Sequence, residues 1–186
     1  MAEYYLISQL PSLDGIGEST PLPITEERFL ETCRDHLSKK VLTELENLTL
    51  VPPREGVECT SSLLNAWYEG EKNLRLALAK FRADKMSKSF DLQNNLIPVD
   101  IIKVASEAVE IENPKDAENF LLNYRLRFLE SLRPIDSFSE DYILYYALKI
   151  KLIARMRKFD TQSGQVEYSK IYKSILNGEI VDDDRK

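Results

Sequence analysis

The chain has 186 residues, a net charge of −6 and a pI near 5.0, with 43% hydrophobic and 30% charged residues. It is too apolar for a disordered chain, and its bases are interleaved with acids instead of forming the basic stripe that holds a phosphate backbone, which argues against nucleic acid as a partner. No window reaches the ~20 uninterrupted apolar residues of a membrane span, six glycines are few for a turn-rich all-β fold, and a chain of this length buries about 70% of its unfolded surface, enough for a single helical domain over residues 1–186.

The segment Glu3-Tyr4-Tyr5-Leu6-Ile7-Ser8-Gln9-Leu10 is short and apolar, and its periodicity fits a strand or one end of a helix until Pro11 stops it. Gly15, Gly17, Pro21 and Pro23 make the next stretch a surface loop. Thr25 reads as an N-cap, with Glu26 and Glu27 complementing the helix dipole and Phe29, Leu30, Cys33 and Leu37 forming an apolar stripe, so a helix is expected to about Leu37. A second short helix, from Lys39 to about Leu48, carries Val41, Leu42, Leu45 and Leu48. Pro52, Pro53 and Gly56 then break the pattern, and a hinge or long loop is expected around residues 49–60.

With Thr60, Ser61 or Ser62 as cap, Leu64, Trp67, Glu71, Leu74, Leu78, Phe81 and Lys85 recur at alternating three- and four-residue spacing. That is the signature of a long amphipathic helix. After polar residues 87–95, Pro98 suits a first helical position, opening a helix to about Glu110. Asn113-Pro114 repeats the start signal before Phe120, Leu121, Tyr124, Phe128 and Leu132, and Pro134 closes that helix. Ser137 and Glu140 have capping-box spacing. They precede the most apolar segment, Asp141 to about Lys158, whose hydrophobic residues cover nearly the whole circumference and belong at the centre of a bundle. Gly164 is expected to interrupt the pattern, which Val166, Tyr168, Ile171, Tyr172, Ile175 and Leu176 resume until Asn177-Gly178, leaving residues 179–186 as a frayed tail. The expectation is an all-α, antiparallel multi-helix bundle.

No nucleophile motif, HExxH pair, phosphate loop or dinucleotide fingerprint occurs. His36 and Asp35 are adjacent on a helix and point about 100° apart, so His36 reads as a helix-end residue and not as a general base. Cys33 lies on an apolar stripe, and Cys59, ahead of a helix N-terminus, is the cysteine expected to have the lower pKa. The two lack metal-ligand spacing, and with no signal-peptide pattern ahead of Glu3 a reducing cytoplasm is the expected location. No catalytic residue, cofactor or metal is expected. Glu71 shares a stripe with Trp67, Leu74 and Leu78, so its carboxylate requires a cation: Arg75 one turn on, Arg125 or Arg127. Tyr146 is expected in the core, and Tyr145 with Lys149, one turn apart on the less apolar side, at an interface.

Three segments together resemble a known family: Tyr4 to Leu13; Tyr68-Glu69-Gly70-Glu71-Lys72-Asn73-Leu74-Arg75 running on to Phe81-Arg82-Ala83; and Tyr142 to Lys151 followed by Arg155. They look like an uncharacterised bacterial family typically encoded among the subunits of V-type ATP synthases. In order and character they are also similar to the C-type stalk protein of V-type ATPases, known as the d-type in eukaryotes. That stalk protein is a three-lobed helical funnel and is longer than this chain, so the resemblance implies one or two such lobes. It further implies a non-catalytic helical subunit or accessory factor joining the soluble head to the membrane rotor, bound to V-type ATPase subunits at the cytoplasmic face and peripheral to the membrane. The partner-interface candidates are then Tyr4, Tyr5, Glu71, Asn73, Arg75, Arg82, Tyr145, Lys149 and Arg155. The alternative is an independent helical adaptor or regulator of other cytoplasmic proteins.

Overall fold

A computed structural model describes residues 2–16, 20–53, 59–90, 96–157 and 161–177. In chain order the helices are α1 (Ala2–Gln9), α2 (Glu26–Arg34), α3 (Lys39–Glu46), α4 (Ser62–Lys85), α5 (Val99–Glu110), α6 (Pro114–Ser131), α7 (Glu140–Arg157) and α8 (Thr161–Asn177). The described residues contain no strand, so the protein is all-α and the ambiguous N-terminal segment is a helix. None of these helices is long and apolar enough to cross a membrane.

Local chemistry accounts for most of the boundaries. Thr25 caps α2 by accepting the Arg28 N–H (3.3 Å), Ser61 caps α4 by accepting that of Leu64 (3.3 Å), and Asn113 caps α6 by accepting that of Lys115 (3.0 Å) with Pro114 in the first turn. Helix α4 ends in a left-handed turn: Ser87 adopts φ 55° while the Lys88 N–H reaches back to the Ala83 carbonyl (2.8 Å), satisfying groups the helix leaves open. Several expected boundaries shift. Helices α2 and α3 stop at Arg34 and Glu46, short of Leu37 and Leu48, because Asp35 and Asn47 already cap them. Pro98 precedes α5 instead of opening it. The cap of α7 is Ser139, not Ser137: its Oγ accepts the Tyr142 N–H (3.2 Å), while Asp136 holds the Phe138 N–H (2.9 Å) in a turn. Gly164 lies inside α8 instead of interrupting it. Of the expected hinge, residues 49–53, 59 and 60 are non-helical and 54–58 lie outside the described residues, as does the expected tail at 179–186.

Helix α7 is the centre. Eleven of its side chains are buried, from Ile143 through Lys149 and Ile150 to Met156, so other parts of the chain must cover it on every side. Each large apolar residue buried this way contributes about 1.5–3 kcal/mol. The cover comes from Leu6 and Leu13 near the N-terminus, Phe29 and Cys33 of α2, Leu45 of α3, Leu63, Leu64 and Trp67 of α4, and Leu122 and Leu129 of α6. A second cluster joins Leu74, Ala77 and Leu78 of α4 to Ile101, Ala105 and Ala108 of α5 and Leu121 of α6. The long α4 therefore serves both clusters, its first half packed toward α7 and its second half against α5.

Side-chain pairings fix the directions. Phe128 stacks on Trp67, Arg125 reaches Glu71, and Leu121 joins Leu74 and Leu78, so α6 runs antiparallel to α4. Tyr145 bonds Glu130 and Arg155 bonds Glu118, so α6 also runs antiparallel to α7. Helices α4 and α7 consequently run in the same sense, tied at their N-terminal ends by the Ser61 hydroxyl donating to Asp141 (2.6 Å). The bundle is therefore not antiparallel throughout. The Trp67 indole N–H is buried without an acceptor among the described residues, so packing and not hydrogen bonding sets its position.

Gly70 makes the α4–α6 approach possible. A Cβ at this position would overlap the Phe128 ring, which is held between Trp67 and Tyr124 by stacking. Gly70→Ala would ordinarily gain up to about 1 kcal/mol in helix propensity. Here overpacking outweighs that gain, and we expect the substitution to destabilise the protein by about 1–2 kcal/mol, read as a lower urea midpoint; an unchanged or raised midpoint would show that the helices have room to spare.

Candidate functional site

Two polar clusters inside the bundle gather Glu71, Arg75, Tyr145 and Lys149 from among the candidate interface residues. The first lies between α4 and α6. The Glu71 side chain is 2% exposed and accepts from Arg75 Nε (3.1 Å), from Arg125 Nε at close range and from Arg125 Nη2 (3.4 Å). Of the three cations expected to serve Glu71, the structure selects Arg75 and Arg125. Arg125 is itself largely buried (11% exposed), whereas Arg75 is nearly half exposed. Breaking such a pair by removing one partner leaves a buried charge unmatched, at a cost of about 3–5 kcal/mol.

The second cluster centres on Lys149 of α7, which is 8% exposed. Its ammonium donates to Asp14 Oδ1 (2.8 Å), Glu130 Oε1 (2.6 Å) and the Tyr145 hydroxyl (3.3 Å). Tyr145, 2% exposed, donates to the same Glu130 oxygen (2.7 Å), and Tyr146 one residue on donates to the Pro11 carbonyl (2.7 Å). The cluster fastens the strap that follows α1, residues 10–14, to α6 and α7. Tyr146 is in the core as expected. Tyr145 and Lys149, expected on the outward side, point inward instead, because α1, its strap and α6 close over that flank of α7.

Burial alone would depress the Lys149 ammonium, but the bonds to Asp14 and Glu130 outweigh it and raise its pKa above the ordinary lysine value. The Lys149 hydrogen bond holds the Asp14 carboxyl below its usual range. In Glu130, burial pushes upward, yet the bonds from Lys149 and Tyr145 prevail and the net shift is downward. Burial, then the Glu130 contact, push the Tyr145 phenol up to about 12.

The remaining candidates are dispersed. Tyr4 and Tyr5 are 60% and 59% exposed; Tyr4 stacks on Phe138 at 3.8 Å and Tyr5 meets the His36 ring edge-on at 5.4 Å. Asn73 is half-buried and Arg82 exposed on α4, and Arg155 is tied to Glu118 (2.8 Å). Burial pushes the Cys33 thiol up to about 12. Burial and then the Glu44 charge also raise Cys59, correcting the expected depression. Cys59 lines a 690 Å³ cavity with Lys40, Glu44, Asn47 and Tyr68. Among the described residues no group of three or more His, Cys, Asp or Glu side chains is placed to hold a metal ion.

Helix α8 presents a further surface that its sequence pattern does not mark as exposed. Its apolar residues, expected to resume the helical pattern, stand in solvent: Val166, Tyr168, Ile171, Tyr172 and Ile175 are each more than half exposed. Tyr168, Ile171, Tyr172 and Ile175 follow i, i+3, i+4, i+7 spacing and so share one face, with the Tyr168 and Tyr172 rings stacked at 6.0 Å. Searches with protein-family models, among curated proteins and among solved structures returned no match to this chain.

The Lys149 cluster carries a definite pH dependence. The depressed carboxyls of Asp14 and Glu130 contribute stability that is present above their unfolded pKa values and lost as pH falls through the folded ones; the raised Lys149 contributes below its unfolded value and is lost as pH rises through its folded one. We expect Lys149→Met to lower the urea midpoint at pH 7 and the gap from wild type to shrink as pH falls below about 4 and the lowered carboxyls of Asp14 and Glu130 take up protons; a gap that stays the same size throughout the acid range would mean that the ion pairs do not hold the strap.

Proposed function

We propose that this protein is a non-catalytic helical subunit or accessory factor of a V-type ATPase or ATP synthase, acting between the soluble head and the membrane rotor through contacts with the other proteins of that complex. The observation that carries the reading is the joining of the three family-like segments. The first segment lies against the third through Tyr146–Pro11, while the second, in α4, shares with the third the core around Trp67 and Leu144. Within the second and third segments Gly70, Glu71, Tyr145, Tyr146 and Lys149 hold helices and the strap to one another.

That arrangement suits a mechanical role. A coupling element transmits force only as far as its helices resist sliding, and ion pairs set between close-packed helices resist it. Attachment requires free apolar surface, which α8 supplies along its uncovered face together with Tyr4 and Tyr5 at the other end of the sequence. A one- or two-lobed relative of the funnel-shaped stalk protein is the architecture this reading favours. An independent adaptor would use the same α8 face on unrelated proteins, and affinity capture separates the two.

Full-length protein captured from native membranes under gentle conditions is expected to bring down the nucleotide-binding head proteins of the ATPase and its central shaft, and Ile171→Asp with Ile175→Asp to reduce that recovery at least tenfold. Capture free of ATPase components, or dominated by an unrelated partner, would contradict the assignment.

A further inference from the structure

Between the strap and α7 lies a cavity of about 280 Å³, lined by Pro11, Ser12, Asp14, Arg133, Tyr142 and Lys149, with Tyr145 and Tyr146 beside them. Its hydrogen-bonding capacity is unevenly used. Lys149 spends its donors on Asp14, Glu130 and Tyr145, the Tyr145 hydroxyl on Glu130 and the Tyr146 hydroxyl on the strap carbonyl of Pro11. Ser12 Oγ accepts the Asp14 N–H (3.2 Å). Two donors remain. The Arg133 guanidinium stands 6.0 Å from the centres of both the Tyr142 and Tyr145 rings, and its charge is felt by Asp14 and Glu130. Yet among the described residues neither this guanidinium nor the Tyr142 hydroxyl has a hydrogen-bond or ion-pair partner.

We propose that this cavity is a binding site for a small oxyanion of phosphate size, held by the Arg133 guanidinium and the Tyr142 hydroxyl beneath the N-terminal strap. The Arg133 guanidinium can only donate and the Tyr142 hydroxyl can donate beside it, so the complementary ligand is an acceptor, and a guanidinium fork meets two oxygens of an oxyanion at once. The volume falls just below the roughly 300 Å³ at which drug-sized sites begin, and it suits an ion of this class with a few waters. Asp14 and Glu130 balance Lys149 and Arg133, so the site is neutral overall. Oriented donors rather than net charge hold the ion, which makes for a modest affinity in the millimolar range, about 4 kcal/mol. A bound ion would bridge the α6–α7 corner at Arg133 to α7 at Tyr142, under the strap that Lys149 fastens. The proposal is independent of the ATPase reading.

Arg133 is exposed, and Tyr142→Phe keeps the ring packed against the core while removing only a hydroxyl, so both can be altered with the core retained. The experiment is a titration of the full chain with inorganic phosphate, at ionic strength matched with sodium chloride, followed by amide chemical shifts. The expected result is saturable binding of one ion, with shifts centred on Arg133, Tyr142 and residues 11–14, weakened at least tenfold in Arg133→Ala and severalfold in Tyr142→Phe. No saturation up to about 20 mM phosphate, shifts centred elsewhere, or equal affinity in both variants would overturn it.

Discussion

A helix whose middle is buried on all sides sets the terms for the rest of this protein. From Ile143 to Ile150 helix α7 presents no exposed face, and only its ends, at Glu140 and Arg155, meet water, so its stability depends on five other parts of the chain closing around it. The N-terminal segment illustrates the dependence. Helix α1 has eight residues, too few to persist alone in water, and it is held by Leu6 and Leu13 in the α7 core and by strap contacts to Tyr146 and Lys149. Closure around α7 also determines where the chain turns, since α6 must return antiparallel for Arg125, Phe128 and Glu130 to reach α4 and α7 together.

Such closure traps polar groups, and each one needs a partner. The ammonium of Lys149 is matched by two acids drawn from distant parts of the sequence, and Glu71 is matched by one arginine on its own helix and one on α6. These contacts contribute modestly to net stability, because desolvation opposes the Coulomb gain. Their larger effect is on geometry: an apolar surface tolerates a slide of one turn, whereas a carboxylate between two guanidinium groups does not. Gly70 adds a steric constraint at the same junction by admitting the Phe128 ring against α4.

Much of this is legible in the amino-acid sequence. The periodicity of α4, the all-round apolarity of α7 and the Asn113-Pro114 start signal are local patterns, and local patterns survive folding. So is the need of Glu71 for a cation, because a carboxylate on an apolar stripe has few alternatives. The partners of Lys149 are not legible: Asp14 lies 135 residues away and Glu130 lies 19 away on another helix, and nothing local marks either as the matching acid. For the same reason Tyr145 and Lys149 read as outward-facing, although a lysine set in an otherwise apolar helix is itself a sign that an acid lies opposite. Cys59 departs from expectation because its thiol is partly buried and the charge of Glu44 reaches it from α3. The spacing in α8 identifies an amphipathic helix but leaves the surroundings of its stripe open, since periodicity marks an apolar face without saying what covers it.

Helices α7 and α8 both carry apolar residues, but one is enclosed and the other has its stripe in solvent. Native-state hydrogen exchange of the free protein measures that difference directly. The amides of α7 should exchange only through global unfolding, and those of α8 at least about 100-fold faster through local opening; comparable protection in the two helices, or faster exchange in α7, would contradict an enclosed α7 at the centre of the fold.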